Sequence, residues 1–314
     1  MMSRQIRFGV QTPPQNTTWQ ELVSVWKAID QAGYDTAWVF DHFFPIFSEP
    51  SGPCFEAWTT LTGLALQTSR IEVGVLVTGN TYRHPPVLAK IAATLDHATG
   101  GRLILGIGAG WFEAEHRAYG IPFYTTAERI QRLDESVQII KGLWTQPKTT
   151  FEGRYYSVKD AWCEPKPVRK PHPPILIGAA GEKMTLKVVA RHADIWNTFG
   201  SPAVFSNKIR ALQEHCASVG RNFDEIEISW AGVAVICDSA AMKQEVLGKI
   251  AEAWHRPVEE MDQSALVGTV DQIRSRIDEF IKIGVTHFIV GATPPFDPAG
   301  IRRFAAEVIP KFKS

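Results

Sequence analysis

Cysteine is scarce and unpatterned in this 314-residue chain. Cys54, Cys163, Cys216 and Cys237 show no C-x-x-C spacing and no companion histidine pattern. That excludes a zinc module and a disulfide scaffold and fits reduced thiols. An excess of one charge is also missing: 33 basic residues face 33 acidic ones, with no basic stripe or charge block. Neither nucleic acid nor an anionic membrane surface is therefore an expected partner. No apolar run is long enough to cross a bilayer and no signal-peptide pattern opens the chain, so the expected compartment is the cytoplasm. G-x-S-x-G, Walker and Rossmann motifs are all absent. The first strand-like stretch, Arg7-Phe8-Gly9-Val10-Gln11, lacks the His-x-His pair of metal-dependent barrel hydrolases, and no metal ligand is assigned.

What is present is a globular composition, 45% hydrophobic and 21% charged, sufficient for a sizeable core. The length suits one large barrel or two ordinary domains. Strand-like segments recur at 6–10, 36–40, 71–77, 102–107, 174–178, 193–197, 226–235 and 286–291, each followed by a helical pattern. Eight such repeats predict an α/β fold, a (β/α)8 TIM barrel with insertions at the C-terminal face. Thr18-x-x-Glu21, Thr125-x-x-Glu128 and Thr269-x-x-Gln272 read as capping boxes that satisfy orphan N–H groups at helix starts. The helical stripes Ile130, Leu133, Val137, Ile140, Leu143 and Val270, Ile273, Ile277, Phe280 read as barrel-facing core. Two stretches break the alternation: proline-rich 146–173, expected as a hairpin-bearing insertion, and 256–267, expected to be irregular. Without a linker or low-complexity tract, residues 1–314 are expected to form a single domain.

The segment Ile71–Trp111, IEVGVLVTGNTYRHPPVLAKIAATLDHATGGRLILGIGAGW, is the most informative. Its near-continuous apolar runs suit parallel strands covered on both faces. The second run ends in Gly106-Ile107-Gly108-Ala109-Gly110, where bare backbone can approach a planar or phosphorylated ligand. This segment, with FGVQTP near the start and LVGTVDQI…GVTHFIVG near the end, resembles the luciferase-like monooxygenase superfamily of flavin- and deazaflavin-dependent TIM-barrel enzymes. Val39-Phe40-Asp41-His42-Phe43 is similar to the branch that uses coenzyme F420, an 8-hydroxy-5-deazaflavin.

Functional side chains in such a barrel gather where strands end. Asp41 and His42 end the second strand, where an imidazole can exchange protons near neutral pH; a helix-capping Asp beside a packed His would look the same. The resemblance implies that Asp41 binds the cofactor and that His42 is the catalytic residue beside the reacting ring carbon. It also implies a cis Leu76–Val77 peptide under the ring. Gly79, Gly108, Ala109 and Gly110 are implied as ring and ribityl lining, and the turn Gly178-Ala179-Ala180-Gly181 as the phosphate site. A helix N-terminus behind small residues is a suitable anion site in any case. Phe44, Ile46, Trp111 and Glu113 are candidate substrate-pocket residues, largely apolar. Asp96-His97 reads as a structural turn, and His192 and Asp194 lie at the stability face.

The resemblance thus implies an oxidoreductase passing hydride between coenzyme F420 and a small organic substrate. The alternative is an FMN-dependent monooxygenase using reduced flavin and oxygen. A non-catalytic flavin-binding protein stands further off. The expected partner is a small molecule, and a homo-oligomer stays open.

Overall fold

The structure, a computed structural model, describes residues 5–46 and 48–313. Twelve strands are present among them. They are β1 (Arg7–Gln11), β2 (Thr36–Val39), β3 (Glu72–Val75), β4 (Thr78–Gly79), β5 (Leu103–Gly108), β6 (Thr149–Glu152), β7 (Ser157–Ala161), β8 (Ile175–Gly178), β9 (Ile195–Thr198), β10 (Glu227–Ile236), β11 (Leu266–Gly268) and β12 (Val285–Gly291). Every neighbour in the cycle β1–β2–β3–β5–β8–β9–β10–β12–β1 pairs in parallel, which closes an eight-stranded barrel with no free edge. Helices between successive strands complete the (β/α)8 barrel expected from the alternation.

Alternation within the strands sorts the core into two parts. Trp38, Leu76, Ile104, Leu176, Ile195 and Ile289 point inward and fill the barrel. Their neighbours point outward and join the helix stripes predicted from 3.6-residue spacing in a much larger cluster. The starts of the strands are tied by charge: Arg7 bridges Glu72 and Glu227, and Arg169 also reaches Glu72. That lattice closes the N-terminal face.

The cap readings hold at Thr18 and Thr269, where both reciprocal bonds form. At Thr125 only half the box is made, because Glu128 turns to Arg132 at 2.9 Å instead. The 146–173 segment carries the β6–β7 hairpin, an antiparallel pair separate from the barrel. It joins the end of helix Thr126–Thr145 to the start of β8, so its ends lie at the N-terminal face and not, as expected of the insertions, at the C-terminal one; Tyr156 packs edge-on against His84, 5.6 Å between ring centres. The 256–267 segment is not irregular as expected. It holds a helix, Val258–Ser264, and β11, which pairs with the far end of β10. Together with helix Ala240–Trp254 it makes a satellite core of Cys237, Leu247, Ala251, Met261, Ala265 and Val267 on the C-terminal side. The four cysteines are free, and burial pushes the Cys54 thiol up to about 12. Among the described residues no helix is long and apolar enough to cross a membrane.

Candidate active site at the barrel mouth

Strand β3 is interrupted after Val75, and the Leu76–Val77 peptide is cis, as the resemblance implied. Backbone pairing resumes at β4, whose Thr78 and Gly79 lie against Ile107 and Gly108. The interruption turns the Val77 side chain across the barrel. A Cβ added to Gly108 would stand 2.8 Å from Val77 Cγ2, and one added to Gly178 would stand 3.0 Å from Val77 Cγ1. A Cβ at Gly106 would sit 1.9 Å from the Val75 carbonyl oxygen. These glycines therefore make room for the protein's own bulge, and Val77 becomes the raised part of the barrel floor. Gly79 is likewise small because Tyr82 lies over it, at 2.7 Å from a hypothetical Cβ. Gly110 has φ of +80°, a conformation that favours glycine.

Around Val77 the uppermost inward positions carry little: Gly108, Gly178, Ala231 and Gly291. Gly178, Ala231 and Gly291 are half-buried, whereas Leu176 and Ile289 one layer below are buried. The result is a shallow floor of backbone and small side chains that fits a planar ring system. Asn80 Nδ2, buried at the end of β4 without a protein partner, adds a polar donor beside this floor.

His42 stands at the rim, 8% exposed. Its ring is set edge-on to Phe40, Phe112 and Trp111, with centroids at 4.9, 5.7 and 5.8 Å. Its Nδ1 donates to Glu115 Oε2 at 2.9 Å. Glu115 is fully buried and also accepts from the Phe43 N–H and the Tyr82 hydroxyl. Burial alone would raise this carboxyl, but the bonds from His42, Phe43 and Tyr82 outweigh it and hold Glu115 below the usual carboxylate range. An ionised Glu115 can only accept, which fixes the proton on His42 Nδ1 and leaves Nε2 for chemistry. Burial and the Glu115 bond push the Tyr82 phenol up, so it stays a donor.

Glu115 was not among the residues predicted from sequence. Glu113 was, and the structure moves it out of the pocket: it is exposed and pairs with Arg117 at 2.6 Å. Both lie on helix Glu113–Ala118, where a two-residue step rotates the side chain to the far face. His116 is no proton donor either. Its Nδ1 meets the Phe112 carbonyl at 2.8 Å and its Nε2 meets the Thr81 hydroxyl at 2.7 Å, so both nitrogens are engaged.

Asp41 does not face open space. Its carboxylate takes a two-pronged bond from Arg83, at 2.6 and 3.1 Å, and a third from the Gly79 N–H at 3.3 Å. Burial raises the Asp41 carboxyl and the Arg83 charge opposes it. Burial works against the Arg83 cation too, yet Asp41 and Glu56 together carry it upward. Arg83 was also missed in the sequence; it holds the Asp41 carboxylate, which the Gly79 N–H in turn ties to the β3–β4 bulge.

At the β8 turn, Ala179 is buried and its N–H is spent on the Asn197 carbonyl at 3.0 Å. Ala180 and Gly181 are exposed, and the following helix begins at Thr185 with no side-chain cap on its first turn. Lys208 reaches in from helix Pro202–Ser218, bonding the Ala180 carbonyl and lying 3.6 Å from Glu182. Two first-turn N–H groups are already spent, Leu186 on the Gly181 carbonyl at 3.2 Å and Lys187 on the Met184 carbonyl at 3.1 Å, so what this corner offers an anion is the exposed turn 181–184 and the Lys208 cation.

The predicted pocket residues meet at the mouth except for Glu113. Trp111 is 54% exposed beside His42. Phe44 packs on Phe112 at 5.4 Å and on Tyr119 at 6.5 Å. Ile46 is fastened from behind through its backbone, its N–H donating to Gln15 Oε1 at 2.8 Å. Asp96 takes the Arg169 N–H at 3.0 Å and Asp194 the Ile175 N–H at 2.8 Å, both structural as read from sequence.

Comparison with known proteins agrees with this architecture. An F420-dependent glucose-6-phosphate dehydrogenase from Microbacterium testaceum is 28% identical, with 99% of each chain covered. The coenzyme F420-dependent tetrahydromethanopterin reductase of Methanopyrus kandleri superposes with a TM-score of 0.83 at 23% identity, covering 99% of this chain and 100% of that one. A monooxygenase from Streptomyces bottropensis does so at 0.80 and 21%, covering 98% and 100%. The family model described as luciferase-like monooxygenase matches residues 2–257, and the chain belongs to that family.

Proposed function

We propose that this chain is a coenzyme F420-dependent oxidoreductase acting on a small organic substrate. The observation that carries it is the His42–Glu115 pair at the end of β2, on the rim of a barrel whose floor is Val77 and bare backbone. When bound, the deazaflavin supplies two-electron hydride chemistry. The residues supply the rest. Val77, Gly108, Gly178, Ala231 and Gly291 seat the ring, and Asn80 offers it a hydrogen bond. The exposed turn at Gly181 and Lys208 would hold the phosphate. Asp41, held by Arg83, keeps the bulge in place through the Gly79 N–H. His42 accepts or delivers the substrate proton at Nε2, while Glu115 holds the imidazole in the tautomer that exposes that nitrogen. The aromatic residues above it exclude water.

The long relatives named as F420-dependent dehydrogenases support this choice of cofactor. A fluorescence titration of the pure protein with oxidised F420 and, separately, with FMN tests it. Saturable binding of F420 with much weaker FMN binding is expected. Preferential FMN binding would replace the reading by that of a flavin-dependent monooxygenase.

A further inference from the structure

The wall above His42 is aromatic. Trp111, Phe112, Phe44 and Tyr119 form a connected set of ring contacts. Across the mouth, Phe199 and Trp254 pack at 6.3 Å, and both are about half exposed.

Positive charge is distributed very differently. The connections that lead from barrel strands to the next helices, and so build the mouth, are residues 12–18, 40–56, 76–84, 109–112, 179–184, 199–201, 237–239 and 292–297. They contain two lysines or arginines in all, Arg83 and Lys183. Arg83 is committed to Asp41 and Glu56. Lys183 belongs to the β8 turn, the corner that Lys208 also serves. Three nearby arginines are engaged as well: Arg117 pairs with Glu113 at 2.6 Å, Arg129 bonds the Gly110 and Tyr124 carbonyls, and Arg256 lies 3.5 Å from Glu260. The mouth therefore has one basic corner, enough for one phosphate. A second phosphate or a carboxylate beside His42 would lose its hydration without gaining a charged donor.

We infer that the mouth takes an uncharged alcohol or carbonyl compound with an apolar body, bound against Trp111 and the neighbouring rings, and that it excludes phosphorylated substrates. This rests on the reading above, in which the basic corner is filled by the cofactor's own phosphate. It sets the chain apart from the relatives named for glucose 6-phosphate.

The test uses protein loaded with oxidised F420, with cyclohexanol and glucose 6-phosphate as probes, followed both by turnover and by ligand-observed NMR. Cyclohexanol is expected to bind and to turn over with kcat/KM at least about 100-fold above that for glucose 6-phosphate. Trp111→Lys should weaken cyclohexanol binding about tenfold or more, the loss of one large aromatic contact, and Trp111→Phe should restore most of it. Cofactor affinity should stay within a few-fold in both. Deazaflavin binding with glucose 6-phosphate used as well as or better than cyclohexanol overturns the inference and leaves the cofactor assignment standing. Binding of neither probe also overturns it. Failure to bind deazaflavin removes the cofactor assignment and this inference together.

Discussion

Glu115, wholly buried, grips His42 Nδ1 at 2.9 Å while the Phe43 N–H and the Tyr82 hydroxyl hold the same carboxylate in place. This pair links the end of β2 to a short helix 73 residues further along the chain. It explains how an imidazole on a loop keeps one orientation. Replacement of Glu115 by Gln keeps the volume but makes a two-faced amide of a pure acceptor. Turnover should fall about 10–100-fold, the usual range for a residue that orients a reacting side chain. KM and cofactor affinity should hardly move. An equal change in KM and kcat would mean that Glu115 shapes the pocket and does not position His42.

Removal of the imidazole itself should cost more. A proton donor or acceptor in place contributes about 10²–10⁴-fold. His42→Ala should lose that much turnover with deazaflavin affinity within a few-fold. With both nitrogens of His116 engaged and Glu113 turned to solvent, no neighbour can replace it. Near-native turnover in His42→Ala would make His42 a pocket wall.

The barrel was legible because parallel strands buried on both faces read as apolar runs, and each barrel strand begins and ends within one or two residues of its predicted place, apart from the break after Val75 in β3. His42 was legible because it abuts a strand end. Its partner was not. Glu113 and Glu115 share one short helix, and which acid faces the barrel depends on how that helix docks, a tertiary fact. Arg83 was hidden for a similar reason: a buried Asp demands a cation, but its spacing names none. The glycines have a second role that spacing does not show. Gly108 and Gly178 read as ligand-facing backbone, and each also makes room for Val77. The 256–267 segment was misjudged because its start signals, Pro257 followed by Glu259 and Glu260 in the first turn, are polar and passed for a loop.

That packing separates two neighbouring glycines by experiment. Gly106→Ala drives a Cβ to 1.9 Å from a backbone oxygen that has nowhere to go. It should destabilise the barrel by about 3 kcal/mol or more, as overpacked backbone sites do. Gly108→Ala meets instead the Val77 side chain at 2.8 Å. It should be milder in thermal unfolding, yet it should weaken cofactor binding by displacing Val77. Combining it with Val77→Ala should recover stability. Equal thermal losses in the two single variants would count against this account of the floor.

Deep in the barrel, His287 is fully buried and shares a 2.9 Å bond with the Thr36 hydroxyl. Burial, aided by the charges of Arg7 and Lys313, holds it well below the usual histidine range. The unfolded chain therefore binds a proton near pH 6.5 that the folded chain refuses. Stability from this residue is complete above about pH 6.5 and falls as pH drops below it, by up to about 1.4 kcal/mol per pH unit. Melting temperature measured from pH 7.5 to 5 should decline in the native protein. It should decline less steeply in His287→Gln. Parallel slopes would place the acid sensitivity elsewhere.

At the β8 turn, Lys208 and the exposed backbone ahead of the next helix are proposed to hold one anion. Lys208 is well covered, with 14% of its side chain exposed, and it bonds Ala180 from the outside. Lys208→Ala removes the cation but leaves the turn's backbone intact. Deazaflavin affinity should drop about tenfold, in line with one lost charge-assisted bond to phosphate. Because one neutralised phosphate contact also carries salt dependence, raising ionic strength should weaken binding to the native protein more than to the variant. Gly181→Leu attacks the same anion by bulk, since a Cβ there already lies 3.0 Å from Thr185 Oγ1. It should weaken affinity at unchanged melting temperature. If both variants bind deazaflavin as the native protein does, the phosphate lies elsewhere on the rim, and the loops after β10 and β12 become the place to look.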